Sequence, residues 1–245
     1  QLLVPGETAA PGTASGKTGT PSAATAGTAF NVTVNGVDAN WNVVSTATDN
    51  IAITASDPDA TLPANNTLSS GTRTFSVQLN TAGSATVTAT DVTNGAITAN
   101  TSPSITVNAG AFSQLQVLLP GETTDPGSTT GKTGTPSTQT AGTGFTVTVN
   151  AVDSRYNLLS GVTETVTLTT TDANDTEPAA AALVSGTKDF TVTFKTAGSW
   201  TVSGSAAPST FTGTSAAVTT VAGALAKLQL LVPGETAAPG TASGK

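Results

Sequence analysis

The stretch AGTAFNVTVNGVDANWNVV, from Ala26 to Val44, decides the fold class of this chain. Within it, Phe30, Val32 and Val34 alternate with polar residues, and a period of two is typical of a β-strand with one face in water. A diverged copy, AGTGFTVTVNAVDSRYNLL, runs from Ala141 to Leu159 and keeps the same alternation. Each copy therefore predicts a strand that buries one face in a core.

Similar short apolar segments occur at equivalent places in both halves of the chain, separated by Gly, Pro, Asn and Asp. The predicted pairs are Leu2–Val4 with Leu115–Leu119, Ile51–Ile53 with Val166–Leu168, Phe75–Leu79 with Phe190–Phe194, Ala85–Ala89 with Trp200–Val202, and Ile105–Val107 with Val218–Val221. Val43–Val44 and Leu158–Leu159 are expected to fill the one remaining strand position. Only Ala179–Ala182 could add a turn of helix. The pattern predicts an all-β chain of tandem immunoglobulin-like β-sandwich domains, with about seven strands each.

The chain also repeats its own opening. QLLVPGETAAPGTASGK occurs at Gln1–Lys17 and again at Gln229–Lys245, and QVLLPGETTDPGSTTGK at Gln116–Lys132 is a diverged copy. Equivalent prolines lie 115 and 113 residues apart, and a fixed period of this size indicates tandem domains. We predict one domain over 1–113, a second over 114–226, and the start of a further repeat over 227–245. The sequence is expected to be a window from a longer array.

Composition excludes several classes of function. The chain carries a net charge of −7, which argues against a nucleic-acid partner because phosphate binding needs clustered Lys and Arg. It contains no Cys and no His, so the usual thiol nucleophile and general base of enzymes are missing, and we expect no enzymatic activity. No apolar run has the length of a membrane span. The absence of Cys is compatible with an extracellular location.

Long segments rich in Pro, Gly, Thr and Ser cover 5–27 and, in the second half, 120–142. Loops of this length inside a domain are usually functional or disordered. The pieces GTASGKT at Gly12–Thr18 and GSTTGKT at Gly127–Thr133 suggest a phosphate-binding loop. That loop needs four residues between its first Gly and the Gly-Lys pair, and here there are three. We expect these segments to clamp adjacent domains or adjacent chains.

Oxygen-rich loops offer a candidate metal site. Asp57 and Asp59 lie in the first half, and Asp172, Asp175 and Glu177 lie at the equivalent place in the second. Calcium takes six to eight oxygen ligands and is common in extracellular modules. The alternative is a set of Asx-turns and solvated loop charges.

A matched pair of aromatic residues, Trp41 and Tyr156, follows the first long strand of each half. Such a pair could form a platform for a glycan or a protein partner. The alternatives are a lid over the core or a spacer between domains. The sequence leaves these possibilities open.

The two long strand segments resemble the core of bacterial Ig-like domains of the invasin type. GTRTFSVQLNTAGSATVTATD at Gly71–Asp91 and GTKDFTVTFKTAGSWTVSG at Gly186–Gly204 resemble the paired strands that close such domains. The LLVPGET and GKTGTP segments resemble the repeat junctions of very long repetitive cell-surface proteins. The resemblance implies a stalk, fibre or adhesin at the bacterial cell surface.

The expected function is therefore structural and extracellular: a stalk, fibre or surface filament of Ig-like domains joined end to end. Its expected partners are neighbouring repeats of the same chain and, through exposed strand edges, lateral copies in a multi-chain fibre. The alternatives are an adhesin whose repeats bind glycan or protein, and a linker stiffened by calcium.

Overall fold

Short β-strands, and no helix, make up the regular structure of the chain. A computed structural model describes all 245 residues, which fall into two compact units. Unit 1 comprises 1–110 and 126–129, and unit 2 comprises 111–125 and 130–245. No segment forms a helix that could cross a membrane.

Twelve strands lie in each half of the chain. Those of the first half are β1 (Leu2–Leu3), β2 (Glu7–Ala9), β3 (Lys17–Gly19), β4 (Ala24–Thr25), β5 (Ala29–Asn35), β6 (Asn50–Ala55), β7 (Asn66–Thr67), β8 (Thr72–Gln78), β9 (Gly83–Ala85), β10 (Val87–Asp91), β11 (Asn100–Thr101) and β12 (Ile105–Asn108). Those of the second are β13 (Gln114–Leu118), β14 (Glu122–Thr124), β15 (Lys132–Gly134), β16 (Gln139–Thr140), β17 (Phe145–Val152), β18 (Thr165–Thr170), β19 (Ala181–Ala182), β20 (Thr187–Val192), β21 (Gly198–Trp200), β22 (Val202–Ala207), β23 (Thr212–Thr214) and β24 (Val218–Val221).

The alternating strand of the sequence lies at the centre of the first sheet in each unit. In unit 1, β5 pairs antiparallel with β1 on one side and β8 on the other. In unit 2, β17 pairs in the same way with β13 and β20. The alternation of apolar and polar residues therefore places one face of this sheet in the core, as the sequence predicts.

The second layer consists of two short sheets in each unit. In unit 1 their strand orders are β11-β10-β6-β7 and β4-β12-β9. Val87 N–H donates to the Ser102 hydroxyl at 3.0 Å, and Ser102 N–H donates to the Val87 carbonyl at 2.8 Å. These bonds continue the pairing of β10 with β11 by one more residue. Unit 2 repeats the arrangement with β19-β18-β22-β23 and β16-β24-β21.

The opening segment of each unit crosses from one layer to the other. Strand β1 pairs antiparallel with β5 in the first layer, and β4 pairs parallel with the last strand, β12, in the second. Strands β13 and β16 do the same against β17 and β24. Two facing layers with this connectivity form an immunoglobulin-like sandwich, so the predicted fold class is confirmed.

Each unit has its own apolar core between the two layers. Leu2, Val32, Val77 and Val87 are fully buried in unit 1, and Val147, Val192, Phe194 and Val202 are fully buried in unit 2. The burial of one such side chain contributes about 1.5–3 kcal/mol to folding. The sandwiches are therefore held mainly by the alternate residues that the sequence identified.

Two details of the predicted strand pattern are wrong. Val43–Val44 and Leu158–Leu159 form no strand: Val43 and Leu158 each make a single bridge, to Val37 and Val152, and both side chains are exposed. Their apolar character does not place them in the core because they follow a tight turn that ends the preceding strand. Ala179–Ala182 contains strand β19 and no helical turn. The number of strand segments exceeds seven because two strands of the second layer are interrupted and a hairpin is added.

Candidate functional site

The segment between β1 and β4 folds as a hairpin and is the most distinctive addition to the sandwich. Strands β2 and β3 pair antiparallel, with Glu7 opposite Gly19, and β14 and β15 repeat the pairing in unit 2. Gly6 and Gly19 meet at the base of the hairpin, where a Cβ atom on Gly19 would overlap the Gly6 carbonyl oxygen. Glycine has no Cβ atom and therefore allows the backbones at positions 6 and 19 to approach this closely.

An ion pair fastens the hairpin to the opening strand. Lys17 Nζ lies 2.8 Å from Glu7 Oε1, and the Glu7 side chain is only 1% exposed. The Val4 N–H donates to Glu7 Oε2 at 3.1 Å, and Lys17 Nζ donates to the Leu2 carbonyl at 3.3 Å. The same pair recurs as Lys132–Glu122 at 2.8 Å and as Lys245–Glu235 at 2.6 Å. The lysine that resembled part of a phosphate-binding loop has this structural role.

A relay of amides connects the hairpin to the first sheet. Thr72 Oγ1 donates to Asn35 Oδ1 at 2.8 Å, and Asn35 Nδ2 donates to Gln1 Oε1 at 3.2 Å. Gln1 Nε2 then donates to the Gly16 carbonyl at 2.6 Å. Buried polar groups are costly unless they are hydrogen-bonded, and here each amide oxygen and nitrogen has a partner. Unit 2 has the same relay through Thr187, Asn150, Gln116 and Gly131.

The matched aromatic residues pack on the hairpin. Trp41 has a φ of 67° and Tyr156 a φ of 60°, a left-handed conformation that is strained for bulky residues. A Cβ atom on Gly16 would overlap the Trp41 ring, and one on Gly131 would overlap the Tyr156 ring. Both rings are half-buried. They therefore act as covers for the hairpin of their own repeat, and neither ring is a fully exposed platform.

An acidic turn holds the Trp41 backbone in this conformation. Asp38 Oδ1 accepts hydrogen bonds from the N–H groups of Asn40 and Asn42, at 2.8 and 2.9 Å. The Asn42 side-chain amide is the largest cause of a lowered pKa for Asp38, followed by the Asn42 and Asn40 backbone N–H groups. These bonds favour the charged carboxylate. Asp153 and Asn157 form the same turn before and after Tyr156.

The tip of the hairpin has different surroundings in its three copies. Gly12, Gly127 and Gly240 occupy equivalent positions, and all have φ between 80° and 92°. A Cβ atom on Gly12 would meet no atom within 4 Å. A Cβ atom on Gly127 would overlap Thr81 Oγ1 within unit 1, and one on Gly240 would overlap Thr196 Oγ1 within unit 2. Two of the three tips are therefore seated on equivalent threonines.

Polar contacts accompany each of these seated tips. In unit 1, Thr81 Oγ1 lies 3.5 Å from the Pro126 carbonyl oxygen, while its hydroxyl proton is donated mainly to Asp57 Oδ1 at 2.7 Å. In unit 2, Asn174 Nδ2 donates to the Pro239 carbonyl at 3.3 Å and to Thr196 Oγ1 at 3.2 Å. Pro126 and Pro239 precede the equivalent glycines of the repeated opening. The contact is thus built twice with the same sequence elements.

The carboxylate of Asp57 organises the surface beneath the tip in unit 1. It accepts hydrogen bonds from Asn80 N–H at 2.6 Å, Thr81 N–H at 3.0 Å, Thr81 Oγ1 at 2.7 Å and Asp59 N–H at 3.1 Å. Burial by itself would raise the pKa of Asp57, but the hydrogen bonds from Thr81, Asn80 and Asp59 outweigh burial and lower it. Asp57 therefore stays charged and fixes the Thr81 hydroxyl.

Asp172 has the same role in unit 2. It accepts hydrogen bonds from Lys195 N–H at 2.7 Å, Thr196 N–H at 2.9 Å and Asn174 N–H at 3.1 Å. Burial would again raise the pKa of Asp172, and the bonds from Thr196, Asn174 and Lys195 lower it. Two unconnected parts of the sequence, the Asp172 loop and the turn at Thr196, are thereby held together.

The other residues of the predicted calcium site have partners within the protein. Thr170 Oγ1 donates to Asp175 Oδ2 at 2.6 Å, and Thr170 N–H donates to Glu177 Oε1 at 3.2 Å. Asp59 and Asp57 lie in one turn, joined by the Asp59 N–H. No group of three or more Asp, Glu, His or Cys residues is placed to hold a metal ion. The hydrogen-bonded turns match the alternative to calcium, and calcium binding itself stays a prediction.

Sequence reasoning found the acidic loops and missed the residues that complete the site. Thr81 and Thr196 lie in Thr-Ala-Gly-Ser segments between predicted strands, and neither was identified as a site residue. The matched Glu and Lys of the opening gave a usable signal, because opposite charges ten residues apart recur in all three copies. In the structure each of these pairs closes a hairpin, so the recurrence of the two charges was the available sign that they meet.

No protein-family model matches the sequence, and no curated protein matches it. Among solved structures, the chain is similar to the D0–D1 domains of intimin, with 17% identity and a TM-score of 0.32, covering 80% of this chain and 92% of that one. The D00–D0 domains of intimin show 15% identity and a TM-score of 0.38, covering 90% and 98%. FdeC, an adhesin of Escherichia coli, shows 22% identity and a TM-score of 0.37, covering 84% of this chain and 62% of that one.

The similar structures thus include domains of intimin and an adhesin of Escherichia coli. They also include a β-glucuronidase of Parabacteroides merdae, with 9% identity and a TM-score of 0.31, of which this chain covers 21%. Identities and scores this low carry no information on function. The structure itself shows immunoglobulin-like sandwiches, and function has to be argued from the site.

Proposed function

We propose that this chain is a structural, extracellular protein in which tandem Ig-like domains form a stalk, fibre or filament at the cell surface. The observation that carries the proposal is the seating of the hairpin tip. Pro126–Thr129 come from the opening of the second repeat and belong to compact unit 1. In an array, the same contact would fasten each domain to the opening of the next.

The stiffness of the hairpin supports this mechanical role. A tip can transmit load only if its stem is fixed to its own domain. The Glu7–Lys17 pair, the Gln1 relay and the Trp41 ring provide three independent attachments. The Pro-Gly-Thr segments are thus ordered parts of the domain, which fits their expected role as clamps of adjacent domains.

The adhesin alternative has weaker support from the residues. Aromatic side chains that bind glycans or proteins present a free face, whereas Trp41 and Tyr156 each cover a glycine of their own hairpin. With aromatic residues at 4% of the chain, few others could replace them. We propose no enzymatic reaction, because the chain contains neither Cys nor His.

Imaging of longer arrays tests the proposal. A gene encoding several joined copies of 1–228 is expressed, and the product is examined by negative-stain electron microscopy. We expect extended, beaded particles whose contour length rises in proportion to the number of copies. The comparison variant carries Thr81→Val and Thr196→Val in every copy, which removes the hydroxyls beneath the tips. Flexible particles of equal persistence length in both arrays would contradict the proposal.

Location is tested separately with antibodies raised against the purified chain. We expect these antibodies to label intact cells of the source organism. Labelling that appears only after the cells are permeabilised would contradict an extracellular role and would leave the mechanical argument untouched.

Calcium stiffening is tested by chelation. Because the Asp57 and Asp172 carboxylates already accept several hydrogen bonds each, we expect EDTA to leave the melting temperature of both units unchanged. A melting temperature that falls with EDTA and recovers with added calcium would instead establish the predicted metal site at these loops.

A further inference from the structure

The sequence contains two Asn-Gly pairs, and both lie in unit 1. They are Asn35–Gly36 at the end of β5 and Asn94–Gly95 in the loop that joins β10 to β11. Asparagine is a chemically labile residue, and its amide can be attacked by the backbone nitrogen of the next residue. Glycine at that next position favours the attack, because it has no Cβ atom to hinder the nitrogen or to restrict the backbone.

The loop around Asn94 is open to water. Every residue from 92 to 99 is exposed, and a Cβ atom on Gly95 would meet nothing within 4 Å. The Asn94 side-chain nitrogen and the Gly95 N–H make no hydrogen bond to the rest of the protein. Neither the leaving group nor the attacking nitrogen is therefore held by a bond that would have to break first.

The turn at Asn94 folds its side chain over the backbone that follows. Asn94 Oδ1 accepts a hydrogen bond from Ala96 N–H at 3.2 Å, and the Ile97 N–H donates to the Asn94 carbonyl at 3.0 Å. The first of these bonds defines an Asx-turn, which places the side-chain amide beside the peptide bond to Gly95. The same bond draws electrons toward Oδ1 and makes the amide carbon a better target for a nucleophile.

Asn35–Gly36 has the same two residues in the opposite surroundings. Asn35 is only 7% exposed, and Thr72 Oγ1 donates to its Oδ1 at 2.8 Å. The Gly36 N–H donates to the Gly71 carbonyl at 2.8 Å. Asn35 also lies opposite Thr72 in the ladder of β5 and β8, which keeps its backbone extended. Attack by the Gly36 nitrogen would have to break these bonds, so the sheet protects this pair.

We infer that Asn94 is a site of spontaneous deamidation in the folded protein and that Asn35 is protected from the same reaction. The Gly95 nitrogen loses its proton to solvent and bonds to Asn94 Cγ, while the Cγ–Nδ2 bond breaks and ammonia leaves with a proton from water. The ring that results is a succinimide. One water molecule then opens it, at Cγ to give aspartate or at the Asn94 backbone carbonyl carbon to give isoaspartate. The net reaction consumes one water and releases one ammonia.

Both products change the loop. Each carries a carboxylate where Asn94 had a neutral amide, close to Asp91, whose Oδ1 accepts the Asn94 N–H at 2.9 Å. Two like charges at this separation repel each other. In isoaspartate the main chain also passes through the former side chain and gains a methylene group, which disrupts the turn to Ile97. The proportion of altered loops therefore rises with the age of the protein.

Unit 2 has no Asn-Gly pair and no equivalent of this loop. Its strands β22 and β23 are joined by 208–211, Pro-Ser-Thr-Phe, which contains no asparagine. The change is thus confined to unit 1, and unit 2 is an internal reference in each measurement. The inference does not depend on the proposed function, because the reaction follows from the loop whether or not the chain forms a filament.

Peptide mapping by mass spectrometry tests the inference. The purified chain is kept in neutral buffer for several weeks, and samples are digested with trypsin. Trypsin cleaves after Lys17, Arg73 and Lys132, so Asn35 and Asn94 lie in different peptides. We expect a rising fraction of the second peptide to be heavier by about one dalton, with fragment ions that locate the change at Asn94. Enzymatic methylation should detect isoaspartate in that peptide, and Asn35 should react at least tenfold more slowly.

Two variants and an unfolded sample are the controls. Asn94→Gln cannot form the five-membered ring and should show no change at this position. Gly95→Ala should slow the reaction about tenfold without disturbing the loop, because its Cβ atom meets no neighbour. In guanidinium chloride, where the β5 ladder is lost, Asn35 should react about as fast as Asn94. An Asn94 that keeps its amide, or equal rates for Asn35 and Asn94 in the folded chain, would overturn the inference.

Discussion

The first and second copies of the hairpin tip share a backbone and differ in what they touch. Gly12 and Gly127 have φ values of 80° and 92°, and both sit above a stem closed by the same Glu–Lys pair. A Cβ atom on Gly12 would meet no other atom, although the Gly12 N–H donates to the Asn40 carbonyl at 2.7 Å, whereas Gly127 lies against Thr81 and Asp59. The local fold of the tip is therefore independent of the contact it makes. A preformed tip loses little conformational entropy when it is seated.

The largest expected effect comes from removing the Asp57 carboxylate, which fixes Thr81 beneath the Gly127 tip. Asp57→Ala leaves the N–H groups of Asn80 and Thr81 without their acceptor, and we expect unit 1 to lose about 2–4 kcal/mol of unfolding free energy. Urea unfolding, followed by Trp41 fluorescence in a Trp200→Phe background, measures the loss. Asp91→Ala is the control and should cost less, because Asp91 accepts the Thr93 and Asn94 N–H groups in an exposed loop of the same unit. Equal losses in both variants would argue against a role of Asp57 in fixing Thr81 beneath the tip.

The tip glycines test the comparison directly. Gly12→Ala and Gly127→Ala carry the same left-handed strain, but only the second places a methyl group against Thr81. We expect Gly127→Ala to cost about 1–3 kcal/mol more than Gly12→Ala in the unfolding free energy of unit 1. If the two variants lose the same amount, the seated tip contributes nothing to unit 1.

The ion pairs of the stem should show a smaller difference. Glu122 is almost fully buried, whereas Glu235 in the tail is 30% exposed. Glu122→Gln should cost unit 2 about 1 kcal/mol, because the charge-assisted bonds to Lys132 and to Leu119 N–H are weakened while Lys132 keeps some access to water. Glu235→Gln should have little effect on the same urea curve. A larger loss for Glu235→Gln would mean that the tail hairpin is more important to unit 2 than its exposure suggests.

The smallest expected effect is on the pH dependence of stability. The folded-state pKa values of Asp57 and Asp172 lie below their ordinary value of 3.8. As the pH falls, the unfolded chain therefore binds protons first, and the stability that these carboxylates provide above pH 3.8 is lost on the way down to the folded pKa. Asp57→Asn and Asp172→Asn should flatten this decline in acid titrations of stability. An unchanged slope would show that other carboxylates dominate it.

The sandwich could be predicted from the sequence because its core strands carry a strict period of two. Phe30, Val32 and Val34 face the other layer or its edge in the order that the alternation requires. The same reasoning failed at Val43, since an apolar residue after a tight turn fits a strand by composition and is exposed in the structure. The alternation of apolar and polar residues does not show whether the residues after a turn point into the core or into water.

The contact of the hairpin tip with Thr81 or Thr196 could be predicted only in part from the sequence. Asp57 and Asp172 were identified as matched acidic residues, but their acceptor roles depend on Thr81 and Thr196, which lie 24 residues further along the chain. Such contacts are set by how the layers pack, and the sequence between them carries no sign of the distance. The short parallel pairing of β4 with β12 was also beyond prediction, because two residues show no periodicity.

That parallel pairing has a consequence for a chain under tension. Near the start of the domain, β4 runs in the same direction as β12, which is near its end, so a pull on the two ends drags the strands past each other lengthwise. The hydrogen bonds between β4 and β12 must then break together, whereas those of a hairpin pulled open from one end break one after another. Resistance to stretching in this protein would thus reside in a few backbone bonds at the seam between first and last strands.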